Sequence, residues 1–327
     1  MINSKFNGKV FGSSFILVLG LVIGVFSQES PKSTVVYKKE NKSMSVAVRT
    51  NVYCAGYIQT SPVNTGLEIV GGDDEREQHN YSQGDYVYLS QGSNNGVQVG
   101  NTYSVIRPRG QFQSKLSDKK GKLGVYVEEV GTVEIVKVRS NVSVAKVKNS
   151  CEVFLLGDLL QPLVTRETPE FKNRPKLDLF AEPNGKSVGK ILMGRDGREA
   201  FSRDQIVYID LGAEDSVKIG DYLTVFRPLG KGGVLNIMED EELSTKDSDF
   251  GSETFQGNPY SIMAPRKAGE TAEGTLVTTS NAKKRRPAGL RKVVGDMIIL
   301  NVKEKTATAL ILRNAQEIHI GDMVEVQ

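Results

Sequence analysis

The feature that most constrains the fold of this chain is that it states one pattern twice. Residues 85–92 read DYVYLSQG, followed by VQVG at 97–100 and VIRPRG at 105–110. Residues 205–212 read QIVYIDLG, followed by VKIG at 217–220 and VFRPLG at 225–230. The offset is constant at 120 (205 − 85). A second offset of 164 (295 − 131) ties Gly131, Ile135, Val138 and Ala145 to Gly295, Ile299, Val302 and Ala309. It also ties Gly157-Asp158 to Gly321-Asp322. The second copy therefore carries 44 extra residues (164 − 120) inside one connection. Repetition of this kind constrains architecture ahead of any local reading.

The runs between turns are short and β-branched, and several alternate apolar and polar residues, as half-buried strands do. Gly-Asp pairs punctuate them, and little amphipathic helix is present. The expected fold is mostly β: two tandem small antiparallel β-barrel or sandwich repeats after an N-terminal signal segment. Closure would remove the exposed edges that an exported β protein must manage. The expected boundaries are 46–163 for the first repeat, 164–175 for a Pro-stiffened linker and 176–327 for the second repeat. Residues 231–289 of the second repeat form a low-complexity insertion that opens acidic and ends basic. Within the repeats, a strand is expected at Val52-Tyr53. Arg107-Pro108 and Arg227-Pro228 are expected to stop their strands, since proline cannot donate to a central ladder. Gly92 and Gly212 are expected to end strands at positive φ.

Residues 1–27 read as a signal peptide. Lys5 and Lys9 precede a charge-free apolar run at 10–26, and Val25 and Ser27 supply small residues for cleavage. The run is 17 residues long (26 − 10 + 1), so an uncleaved anchor is the alternative. Lys-rich residues 28–45 read as a disordered linker. Export places the chain in the periplasm, at the cell surface or outside the cell. In such an oxidising compartment Cys54 and Cys151, the only cysteines, are expected to pair. The bridge would close a loop of 97 residues (151 − 54); the alternative is two separate buried thiols.

The chemistry is sparse. His79 and His319 are the only histidines. No nucleophile elbow, phosphate loop, dinucleotide fingerprint or EF-hand spacing occurs, so no catalytic residue, cofactor or metal ligand is expected. Turn geometry accounts for the Gly-Asp pairs without a cation. Two binding patterns remain. Tyr88, Arg107, Tyr208 and Arg227 recur and form a candidate ligand groove, against the plainer reading of strand-end packing. Lys283, Lys284, Arg285 and Arg286 form a candidate polyanion contact, although no aromatic residues interleave for base stacking.

The pattern running from Gly-Asp-x-Val-Tyr-Leu through Val-x-Arg-Pro to the final Gly-Asp resembles repeat domains of exported bacterial proteins, some of which accompany LysM modules. It is similar in rhythm to the C-terminal β domain of flagellar assembly protein T. The resemblance covers residues 85–160 and 205–326. It departs in lacking a LysM module and in carrying the insertion. It implies a non-enzymatic envelope role and transfers no catalytic residue. The expected function is thus a structural or protein/peptidoglycan interaction in the bacterial envelope, with an envelope protein, peptidoglycan or another glycan as partner. No specific nucleic-acid partner is expected, and membrane contact only through an uncleaved N-terminal segment. The alternatives are a carbohydrate- or polyanion-binding module and, disfavoured by the scarcity of histidine and cysteine, a cryptic hydrolase.

Overall fold

A computed structural model describes residues 45, 52–73, 76, 79–119, 123–166, 168–170, 172–229, 266–267, 276–277 and 285–327. The signal segment, nearly all of the 28–45 linker and most of the 231–289 insertion lie outside the described residues. The protein is mostly β. The first half supplies β1 (Tyr57–Gln59), β2 (Ile69–Gly72), β3 (Tyr86–Leu89), β4 (Thr102–Phe112), β5 (Gly124–Val138), β6 (Ser143–Ser150) and β7 (Leu159–Pro162). The second half supplies β8 (Val188–Gly194), β9 (Ala200–Phe201), β10 (Ile206–Ile209) and β11 (Tyr222–Pro228). Two-residue strands β12 (Arg266–Lys267) and β13 (Leu276–Val277) pair with each other inside the insertion. Then come β14 (Arg291–Val302), β15 (Ala307–Asn314), β16 (Ile318–His319) and β17 (Met323–Val326).

The second sheet is a closed antiparallel barrel in the order β10-β15-β14-β11-β17-β8. The first runs β2-β3-β6-β5-β4-β7, the same order once strands at offsets 120 and 164 are matched. Its ends meet too: Glu68 bridges Leu159, and the Leu160 N–H donates to the Leu67 carbonyl at 2.9 Å. Each barrel has its own core. Val87, Val105, Val133 and Ala145 fill the first; Val207, Val225, Met297 and Ala309 fill the second. Ring-over-glycine packing recurs as well. A Cβ on Gly72 would fall 2.1 Å from the Tyr81 ring, and one on Gly194 would fall 2.2 Å from the Phe201 ring.

Three local expectations are corrected. Val52 and Tyr53 lie in a helical turn, and the strand begins at Tyr57. Arg107-Pro108 does not stop β4, which continues to Phe112. A register shift between Pro108 and Gly110 absorbs the irregularity, and past Ile106 only β5 pairs with β4, so the proline leaves no broken ladder on the open side. Gly92 and Gly212 have extended backbones, φ −136° and −139°. They are glycine because a Cβ would lie 2.0 Å from the Arg139 carbonyl oxygen and 2.3 Å from that of Glu304. Positive φ falls instead at Gly100 and Gly220, at 86° and 89°.

Residues 43–327 form one compact unit. Two devices join the barrels. The first is a strap, residues 52–60, whose β1 pairs with β5 of the first barrel (Tyr57 opposite Val127). Its Val52 and Ala55 pack on Ile206, Ile298, Leu300 and Leu310 of the second barrel. The second is an arm. The hairpin β4–β5 extends beyond its barrel, and the Lys119 ammonium near its tip meets Glu214 and Asp215 of the second barrel, each at 2.6 Å.

Candidate functional site

The repeated arginines are held by repeated aspartates. The Arg107 guanidinium donates Nε and Nη2 to the two oxygens of Asp158, both at 2.8 Å. Arg227 does the same to Asp322 at 2.6 and 2.7 Å. Each aspartate also accepts a backbone N–H three residues upstream, from Leu155 or His319. The Asp158 hydrogen bonds raise the Arg107 pKa further above its ordinary value. The two pairs therefore brace the closing turn of each barrel. Tyr208 is fully buried and donates its hydroxyl to the Ala55 carbonyl at 2.7 Å, whereas Tyr88 is half-buried on the first barrel. Of the expected groove, Arg107 and Arg227 are thus engaged by Asp158 and Asp322, and Tyr208 by the Ala55 carbonyl. Of the basic cluster, Lys283 and Lys284 lie outside the described residues, Arg285 is exposed, and Arg286 borders Leu229 and Leu290. His79 sits exposed in a turn; His319 abuts Arg227 at 2.6 Å.

The structure instead draws attention to the seam between the barrels. The strap is pinned covalently at one end, where Cys54 and Cys151 form a disulfide with Cα atoms 5.6 Å apart. Hydroxyls of the second barrel hold its backbone carbonyls. Thr306 donates to Ile58 O at 2.7 Å, and Thr308 donates to Gly56 O at 3.0 Å. The Gly56 N–H donates to the buried Glu129 carboxylate at 3.0 Å. Gly56 must be glycine: its φ is +66°, and a Cβ would stand 2.7 Å from the Tyr208 oxygen. Arg166, from the connection between barrels, completes the joint. It pairs with Glu129 and donates to the Val52 carbonyl at 3.0 Å.

A cleft opens at each side of this strap. One, of about 500 Å³, is lined by the disulfide, Tyr126, Glu128, Glu152 and Asp196, with Arg195 the single cation. The other, of about 700 Å³, has the opposite character. Tyr57 comes to it from β1, Gln161 from β7, Arg166 from the connection, and Asn301 and Lys303 from the β14–β15 hairpin. The Lys303 ammonium stands 4.1 Å from the centre of the Tyr57 ring, and Arg166 lies 5.9 Å from it. Burial, then the neighbouring Arg166 charge, pulls the Lys303 pKa below its ordinary value. Burial pushes the Tyr57 phenol up. Tyr126 and Tyr208 meet edge to face at 5.4 Å between ring centres, and burial raises both phenols.

The second cleft presents donors; the first presents acceptors. Among the described residues no group of three or more His, Cys, Asp or Glu is placed to hold a metal ion. The residues of the donor cleft carry no shared sequence motif, because they come from four segments. One trace was available. Glu129 is a carboxylate at a position where the second copy has Val293, an inconsistency between repeats that marks a buried, paired charge. No protein-family model matches the chain, and no curated protein matches it.

Proposed function

We propose that this chain is a non-enzymatic, exported envelope protein acting in structural or protein/peptidoglycan interaction. The observation that carries the reading is the disulfide-anchored strap. It ties two barrels into one compact unit, and a disulfide of this kind persists where the compartment is oxidising. A joined two-barrel body suits a role in spacing or docking. The occupation of Arg107 and Arg227 by Asp158 and Asp322 weighs against the version in which repeated arginines grip a polyanion. The test is co-sedimentation of the full chain with purified peptidoglycan across a salt titration. Binding that survives high salt supports the reading. Binding that collapses with salt favours the polyanion alternative, since screening removes exposed charge contacts. Absence of sedimentation at low salt overturns the peptidoglycan version.

A further inference from the structure

The donor cleft beside the strap has features that the barrels do not need for folding. Among the described residues Lys303 makes no ion pair or side-chain hydrogen bond: its ammonium stands over the Tyr57 ring, and the Glu129 carboxylate, engaged by Arg166, acts on it only from a distance. A half-buried ammonium without a direct ion pair is costly, and burial is usually offset by pairing. Asn301 is nine-tenths buried, and its Nδ2 lacks a hydrogen-bond partner. Buried side-chain amides normally find one. The buried Tyr57 hydroxyl accepts from Gln161 Nε2 at 2.8 Å, which leaves its own proton without an acceptor among the described residues. Arg166 brings further positive charge to the same wall, although Glu129 neutralises it. Two apolar side chains stand exposed on the rim, Val164 at 70% and Ile219 at 50%.

We infer that this cleft binds the carboxylate of a short peptide, with Lys303 taking the charge and Val164 and Ile219 packing against the adjoining small apolar residue. A carboxylate supplies what this wall of donors lacks, an anion for the ammonium. The apolar rim argues for a peptide rather than a free inorganic anion. The acidic cleft on the other side of the strap would repel the same ligand, so binding is confined to one side. The inference rests on the proposed interaction role and names its chemistry: a ligand with a free carboxylate end, as uncrosslinked peptides and protein C-termini have.

The test uses the full chain with three probes: N-acetyl-Ala-Ala, its C-terminal amide, and inorganic phosphate, each titrated by calorimetry. The acid should bind at least roughly tenfold more tightly than the amide, the scale of one hydrogen bond to a charged group. Lys303→Gln should weaken the acid by a similar factor while thermal unfolding stays within about two degrees of the parent, as expected for a partly exposed position. Equal binding of acid and amide overturns the inference. So does unchanged binding in Lys303→Gln, or phosphate binding as well as the peptide acid. Lys303→Arg, which keeps the charge, should retain most of the affinity; loss equal to that of Lys303→Gln also counts against the inference. Peptidoglycan co-sedimentation run in parallel separates the two claims. Sedimentation without peptide binding sinks the cleft alone, and peptide binding without sedimentation sinks the peptidoglycan reading alone.

Discussion

Across the first barrel one cross-strand row reads Tyr86, Lys146, Glu134, Thr102; across the second the matching row reads Ile206, Leu310, Ile298, Tyr222. The registers are the same and the chemistry is opposite. On the first barrel the row faces water. Lys146 lies 5.5 Å over the Tyr86 ring, and Lys148 pairs with Glu134 at 2.7 Å in an exposed contact. On the second barrel Ile206, Ile298 and Leu310 are buried beneath Val52 and Ala55 of the strap. The difference teaches that these positions report what covers a barrel, not how the barrel is built. It also gives the pair a direction. The first barrel offers its strap and arm, and the second offers an apolar face, while the corresponding face of the first barrel is dressed for solvent.

The largest expected effect comes from the strap's covalent anchor, which the second barrel lacks. There the corresponding stretch, residues 174–182, is held by hydrogen bonds: Val293 N to Leu179 O at 2.9 Å and Arg291 to Ala181 O at 2.9 Å. Replacing both Cys54 and Cys151 by serine should cost about 4–5 kcal/mol by the chain-entropy argument for a loop of this length. Urea unfolding measures it. A loss below about 1 kcal/mol, within the range of an ordinary surface change, would mean that the strap holds without its bridge.

Next in size is a direct exchange across the matched rows. Ile298→Glu gives the second barrel the first barrel's residue and buries an unpaired carboxylate, at roughly 3–5 kcal/mol. Glu134→Ile makes the reverse change on an exposed face and should stay within about 0.5 kcal/mol. Similar unfolding midpoints for the two variants would show that the strap does not bury the row.

This asymmetry also explains what could be read from the chain. The duplicated Val-Tyr-x-x-x-Gly and Arg-Pro text disclosed the strands, because residues that fill a barrel must recur wherever the barrel recurs. The positive-φ turns at Gly100 and Gly220 were not legible, since the letter glycine alone does not tell a left-handed turn from the close approach that requires it at Gly92 and Gly212. The seam was not, since Tyr88 and Tyr208 are one letter in the repeat and only their neighbours differ. The clue lay in the departures from repetition: Tyr86 against Ile206, Glu134 against Ile298, Lys146 against Leu310. The arm escaped notice because Pro108 reads as a strand stop, whereas an edge position tolerates it. The donor cleft draws on residues from 57 to 303, and no local spacing encodes such a meeting.

A smaller effect sharpens the comparison at the shared tyrosine. Tyr208→Phe removes the hydroxyl that bonds the buried Ala55 carbonyl and should cost about 1–3 kcal/mol. Tyr88→Phe should cost no more than about 0.5 kcal/mol. Alkaline unfolding gives a second readout. Burial raises the Tyr57, Tyr126 and Tyr208 phenols above their ordinary value near 10. Above that pH the unfolded chain loses phenolic protons first and the folded protein holds more, so stability falls as pH rises. Lys303 acts oppositely: its lowered value makes the folded protein deprotonate first, so its contribution rises with pH below about 10.5. Tyr208→Phe should therefore flatten the alkaline decline; an unchanged slope would place the sensitivity in the other phenols.

The smallest effect tests the arm. Lys119 reaches Glu214 and Asp215 and donates to the Lys305 carbonyl at 2.8 Å, while Asp118 pairs with Lys190. The residues of the first barrel that match Glu214, Asp215 and Lys305 are Asn94, Asn95 and Asn141, and Asn94 bonds Asn141 at 2.8 Å. That surface has no carboxylate for a lysine to meet, so the clasp has one address. The contact is partly exposed, with Glu214 at 41%, and salt screens it. Lys119→Ala should cost roughly 1 kcal/mol at low salt and less at 1 M. Hydrogen exchange is the sharper probe. The Asp215 N–H donates to Gly212 O and the Gly212 N–H to the Asp215 carboxylate, so loosening the clasp should speed exchange at these two amides. Amides at the matching turn, Gly92 to Asn95, should be unaffected. Equal acceleration at both turns would mean that the arm stabilises the whole body rather than this contact, and the directional reading of the seam would fail.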